Sequence, residues 1–373
     1  MSARSGPSAG FRTRATDHLA VAVGTTKGLF LISDGVADGP WFKGREVPAF
    51  VQVGATYLVA TTDSRFGPWV ALSTDGGTTW SEPASRPVAF PEDAGASVAR
   101  IWQLHFDARS ADGDPIVMAG VEPAALFTSS DVGGSFQLAD SLWSHPHRPL
   151  WQPGGGGLGL HTIVTHGDRP ARILVGISTG GVYRSDDGGA SWAPKNKGIR
   201  AVHLPNPEVE FGQCVHKIAV DAAGPDALWL QNHWGIYRSV DAGDTWENVG
   251  WPGEERGVVS DFGFPIVAHP VEPATAYVFP LESDEYRCSP GGACRVYRTT
   301  DGGASWEPLG SGLPASHAHV TVLRDAFDIG REPPYPLVFG TRTGQLYASA
   351  DGGENWRLFV DHLPPVLCTR VLS

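Results

Sequence analysis

The chain has 373 residues, a formal net charge of −12, 41% apolar and only 18% charged residues. An acidic chain with no lysine/arginine cluster excludes a nucleic-acid groove, and no run of 18 apolar residues offers a membrane-spanning helix. Gly (47) and Pro (30) are abundant, and 13 Trp and 16 Phe are spread along the chain; this mixture reads as many short strands joined by turns and packed by large rings.

In chain order, residues 1–17 are polar with scattered Arg and lack the apolar core of a secretory signal. They read as a flexible lead, with a single domain over 18–373 and a cytoplasmic location expected. Leu19–Phe30 follows as two apolar strands around a Thr-Thr-Lys-Gly turn. A motif then recurs six times, as Ser73-Thr-Asp75-Gly-Gly77-Thr-Thr-Trp80 and again at Ser129–Phe136, Ser185–Trp192, Ser239–Trp246, Thr299–Trp306 and Ser349–Trp356. Its aspartates lie 56, 56, 54, 60 and 50 residues apart. Six copies at a near-constant period mark a repeat architecture.

The motif is a hairpin turn: Asp accepts backbone N–H groups, Gly supplies a positive φ, and the aromatic ring packs back between sheets. It lacks the alternating acids and distal Glu of a calcium loop. Most copies follow a strand ending in an aromatic, such as Gly181-Val-Tyr183 or Gly235-Ile-Tyr237. An apolar strand and an alternating strand, such as Ala227–Gln231 and Val215–Asp221, precede that one. Three strands, the turn and a fourth strand make one propeller blade. Leu19–Phe30 lacks an inner strand, and Val366–Leu372 is an inner strand without a blade. Together they predict a seventh blade, so the expected fold is an all-β, seven-bladed β-propeller closed by its N- and C-terminal strands.

These repeats resemble the BNR (Asp-box) repeats of sialidase-like propellers, of sortilin-type receptors and of photosynthetic assembly factors, over roughly residues 18 to 372. The resemblance implies the fold. For function it implies either a glycosyl-hydrolase-like enzyme or a binding scaffold. The Phe-Arg-Ile-Pro motif of true sialidases is absent, and nothing local marks Arg65, Arg100 and Arg342 as an arginine triad, so sialidase activity is not expected.

Propeller ligand sites lie where the inner strands begin. Aligned there, His161, His216 and His319 fall at equivalent places, with Trp102, Phe264 and Cys368 in other blades. Three histidines at one depth, with Glu122 close by, suggest a catalytic set or a divalent transition metal held by His161, His216 and His319. The alternative is three histidines hydrogen-bonded inside the channel or facing its water. The turns between the first two strands of each blade add Asn232 with His233, Glu282 and Arg342 as ligand-binding candidates. Trp102 and Asp261 join them, the latter in a stretch, Trp251–Phe264, expected to cover part of the funnel. The Gly-rich run Trp151–Leu160 reads as a flexible approach to the axis and not as a phosphate loop, because no Lys-Ser/Thr follows. His145-Pro-His147 reads as an exposed metal clip or a polar loop. Cys214, Cys288, Cys294 and Cys368 are too few for a disulfide framework; Cys288 and Cys294 flank a Ser-Pro-Gly-Gly-Ala turn and read either as free thiols or as a pair closing a small hairpin loop, the free form being expected. The expected partner is a small molecule or glycan at the funnel, or a protein, with no nucleic acid and no membrane.

Overall fold

A computed structural model describes residues 19–83, 85–107, 115–250 and 257–373. The expected lead at 1–17 and the start of the covering stretch, 251–256, lie outside the described residues. Seven sheets follow one another around a ring, six of four strands and one of three. Blade 1 combines Val366–Val371 with Ala20–Thr25, Gly28–Ser33 and Val36–Trp41. Blade 2 begins at Glu46–Val53 and keeps only a bridge, Leu72 to Ser81, where its siblings have a fourth strand. Blades 3 to 7 begin with inner strands Arg100–Asp107, Leu160–His166, Val215–Val220, Gly263–Ala268 and Phe327–Ile329. Among the described residues, no helix is long and apolar enough to cross a membrane.

The six repeated turns share one hydrogen-bond scheme. In the third, the Ser185 hydroxyl donates to Asp187 Oδ1 at 2.7 Å and accepts the Gly189 N–H at 2.8 Å. The Asp187 carboxylate then accepts the Ser191 N–H and hydroxyl at 2.9 and 2.6 Å. The residue after each Asp and the Gly that follows both have positive φ. The first site tolerates Val132 (58°) and Ala242 (60°), whereas the second is Gly in every copy, at 87–93°. The ring that ends the motif ties its blade to the one before. Trp246 Nε1 donates to Lys195 O and Trp306 Nε1 to Val249 O, both at 2.9 Å.

Ring closure uses both ends of the chain. Val21, Ala22 and Val23 pair with Val371, Arg370 and Thr369, and Val366 and Cys368 are fully buried. A buried ion cluster reinforces the seam. The Asp325 carboxylate, ahead of blade 7, accepts Lys217 Nζ from blade 5 at 2.6 Å and Arg370 Nη2 from blade 1 at 3.0 Å. Burial pushes Asp325 up, but Lys217 and Arg370 outweigh it and hold the carboxyl below its ordinary value.

Two outcomes follow from this architecture. Deleting residues 366–373 opens the ring and lowers stability by on the order of several kcal/mol, from the apolar side chains left exposed. Asp325→Asn, which leaves two buried cations without their carboxylate, costs about 3–5 kcal/mol. Both are read from urea unfolding midpoints, and unchanged midpoints refute the closure account.

The turn aspartates make the fold acid-sensitive. The Ser191 hydroxyl and N–H hold Asp187 at about 2, and Asp75 and Asp131 are likewise held at about 2 by hydrogen bonds within their turns. Folded values below the unfolded value of about 3.9 mean that their stabilisation is complete above that pH and is lost as pH falls towards 2. Urea midpoints measured from pH 5 to pH 2 fall steeply in the native protein and less steeply in Asp187→Asn.

Candidate functional site

One feature of the inner strands positions the site. Pairing with the second strand slips at Ile101/Gln103, Leu160/Thr162 and Val215/Lys217. Trp102, His161 and His216 are therefore bulge residues at the same place in three blades, and a bulge re-aims a side chain. Counting register from the repeated turn extends the alignment. In blade 5, Ser239 pairs with Leu228 and Leu228 with Val220, four residues after His216. In blade 7, Ser349 pairs with Leu337 and Leu337 with Ile329, four residues after Asp325. A bridge between Asp325 and Cys368 confirms the level. Asp325 thus occupies the position expected for His319.

The expected ring of three histidines does not converge. His161 is fully buried; its Nε2 donates to Val215 O of the next blade at 2.9 Å and its Nδ1 accepts the Thr162 hydroxyl at 3.1 Å, so both nitrogens are used inside a blade interface. His216 Nδ1 donates to Gly263 O of the next blade at 2.6 Å. His319 is exposed on the loop before blade 7, 2.9 Å from the Tyr286 hydroxyl. The reason is geometric: the bulge turns each side chain sideways, towards the carbonyl of the neighbouring inner strand, and not across the axis. Cys368, paired with Gly24 next to a bulge, also reaches the neighbouring inner strand, its Sγ 3.5 Å from Val47 O.

The remaining candidates divide. Glu122 Oε2 accepts the Trp102 indole N–H at 3.1 Å. The Gly-rich run lies over this pair, because a Cβ at Gly157 would sit 2.1 Å from Glu122 and one at Gly159 would sit 2.4 Å from Trp102. Asn232 is buried and donates to Arg200 O at 3.2 Å. Burial raises the Asp261 carboxyl above its ordinary range; its backbone carbonyl accepts Gln231 Nε2 at 2.8 Å. Glu282 and Arg342 are exposed. His145 and His147 pack on Tyr183, with ring centres 5.2 and 6.1 Å away, and so belong to a packed loop. All four cysteines are free thiols.

What does converge runs through Trp102 and Phe264. Arg324, from the approach to blade 7, lies 5.1 Å from the Trp102 ring and 5.5 Å from the Phe264 ring. Arg100 covers Trp102 at 4.8 Å and Arg287 covers Phe264 at 5.6 Å. The Arg324 guanidinium makes no hydrogen bond or ion pair among the described residues, and its Nε is buried without a partner. Burial lowers its pKa, Asp325 opposes that, and Arg287 and Arg100 add like-charge repulsion. Phe264 also packs on His216 at 4.9 Å, and His216 on His233 at 5.2 Å. The other end of the channel opens into a cavity of about 930 Å³ bordered by Lys217 and Arg370, and none of the candidate residues lines it. Sequence reading missed Arg324, Arg287 and Cys214. Only the blade-7 register brings Arg324 to the axis, although Cys214 stood two residues from a candidate.

No protein-family model matches the chain. The xyloglucanase Xgh74A of Acetivibrio thermocellus is 24% identical over 266 residues, which are 63% of this chain and 30% of the relative. The chain therefore spans under a third of that relative. An ancestral GH74 enzyme superposes with a TM-score of 0.55 at 14% identity, over 88% of this chain and 38% of that one. YCF48 bound to a D1 peptide gives 0.52 at 15%, over 91% and 84%. YCF48 from Cyanidioschyzon merolae gives 0.51 at 15%, over 86% of each chain. The class is a seven-bladed β-propeller with structural neighbours among GH74 enzymes and YCF48 proteins.

The interface histidines have a measurable signature. Burial holds His161 and His216 well below their ordinary pKa, with Arg324 adding to it. Their neutral forms stabilise the fold fully above about 6.5, and that stability is lost as the pH falls and the unfolded chain takes up protons. His161→Ala leaves a carbonyl without its donor and a cavity, at about 2–4 kcal/mol; His319→Ala changes stability by under about 0.5 kcal/mol. Urea melts at pH 7.5 and pH 5.5 compare them; equal losses in the two variants contradict the placement.

Proposed function

We propose that this propeller is a non-catalytic binding protein that takes the carboxylate of a peptide ligand at the mouth of its channel. The observation that carries this reading is Arg324, a buried guanidinium stacked between Trp102 and Phe264 that makes no hydrogen bond or ion pair among the described residues. Three guanidiniums gathered on two rings repel one another, and a bound carboxylate relieves that repulsion and accepts paired N–H donors. The aromatic faces supply the apolar floor that a peptide side chain needs. The chain matches a solved YCF48–D1 peptide complex over most of both lengths, which supports a one-propeller peptide binder. By contrast, it covers only 38% of the GH74 enzyme it resembles. Glu122, the nearest expected acid–base group, is engaged by the Trp102 indole, which argues against a free catalytic carboxylate.

The test is isothermal titration with a pentapeptide carrying a free C-terminal carboxylate and with its C-terminal amide. The acid binds and the amide does not. Arg324→Gln weakens binding by tenfold or more, the scale of one charged hydrogen bond at about 1.5–3 kcal/mol. A fluorogenic sialoside and xyloglucan are not hydrolysed. Equal binding of acid and amide removes the carboxylate reading, and turnover of either glycan removes the non-catalytic one.

A further inference from the structure

Beside the arginines, the inner hairpin of blade 5 carries a second constellation. Cys214 immediately precedes the inner strand, His216 is its bulge residue, and His233 opens the turn that follows the second strand. The His233 N–H donates to Cys214 O at 2.9 Å, so these two residues face each other across the end of the hairpin. One donor atom from each of Cys214, His216 and His233 lies within 4.8 Å of the others, the one such group among the described residues. We propose that these three residues bind a divalent transition metal of the zinc type, through one thiolate and two imidazoles, with a coordination position left open to the channel mouth.

The hydrogen bonds around the group support this assignment. A carbonyl can only accept, so the 2.6 Å contact from His216 Nδ1 to Gly263 O puts the ring proton on Nδ1 and leaves a lone pair on Nε2. That Nε2 is 3.8 Å from Cys214 Sγ. His233 Nε2 lies 3.1 Å from Asp284 Oδ2, which puts its proton on Nε2 and leaves Nδ1 bare. Metal-ligating histidines show this arrangement, with the outer nitrogen donating to a carbonyl or carboxylate and the inner one bare. His161 provides the contrast, since both of its nitrogens are already bonded.

The spacing fits as well. With zinc–nitrogen bonds of about 2.0–2.1 Å and a zinc–sulfur bond of about 2.3 Å, tetrahedral donors stand roughly 3.3–3.6 Å apart. The Cys214–His216 pair is already close to that separation, and a small swing of the half-buried His233 closes the rest. Phe262 and Phe264 pack on the His216 ring at 5.8 and 4.9 Å, an apolar wall that keeps competing water from the ligands. Binding replaces the thiol proton, which is released to solvent, with the metal ion. No redox change is involved.

The experiment uses the full chain, stripped of metal by a chelator and titrated with Co(II). One equivalent produces thiolate-to-cobalt charge-transfer absorption in the near ultraviolet with visible bands of tetrahedral strength, and one equivalent of Zn(II) bleaches both. Cys214→Ser abolishes the charge-transfer band, while Cys288→Ser, a thiol outside the group, leaves it intact. Asp284→Asn weakens Zn(II) binding about tenfold through His233. Circular dichroism confirms that each variant is folded. The proposal is overturned if no saturable spectrum develops, or if the charge-transfer band survives Cys214→Ser. The metal ligands Cys214, His216 and His233 are distinct from Arg324, so Co(II) binding and peptide binding are read independently.

Discussion

The structure depends on ring closure. Each blade is a small sheet with apolar residues on both faces, and it can bury them only against a blade on either side. An open row of seven such sheets would leave two faces and a full strand edge exposed to water. Val366–Val371 removes that edge by joining the N-terminal strands. Asp325 then fastens the seam from within by holding Lys217 and Arg370. A carboxylate buried between two cations is favourable only where both stay in reach, so this cluster tightens a ring that is already shut.

The bulge at the start of the inner strands of blades 3 to 6 does two jobs with one backbone device. It sends His161 and His216 sideways to the carbonyls of neighbouring inner strands, which locks blade to blade near the axis. It also turns Trp102 and Phe264 into a platform on which guanidiniums collect. The same position is therefore structural in one blade and part of the candidate site in another. The difference lies in the side chain: a short polar group reaches the adjacent strand, whereas a large ring cannot fit there and stays at the mouth.

The propeller's two ends differ in character. At the mouth, cations sit on aromatic rings, Arg324 with no hydrogen bond or ion pair among the described residues, beside a thiol and two imidazoles whose tautomers are fixed by their outer hydrogen bonds. At the far end, the wider cavity is bordered by Lys217 and Arg370, charges already committed to Asp325. Size favours the cavity as a binding site, but chemistry favours the mouth, because unsatisfied donors bind ligands more readily than paired ones.

The amino-acid sequence alone determined the blade count, the turn in each blade and the closure by both termini. These follow from short-range rules: a Ser/Thr-x-Asp-x-Gly turn is built from neighbours, and strand alternation has a fixed period of two. It also placed Trp102, His161 and His216 at one level, because their bulges occur at the same offset. It put His319 there too, and that failed because Ala318–Arg324 alternates like a strand while the chain delays pairing until Phe327. Only the tertiary structure decided which side chains meet. Local pattern fixes the face of a strand from which a side chain leaves, but a bulge rotates it and the neighbouring blade supplies its partner from more than 40 residues away. Arg324 between the Trp102 and Phe264 rings is a contact of that kind, set by distances that exist only once the ring is closed.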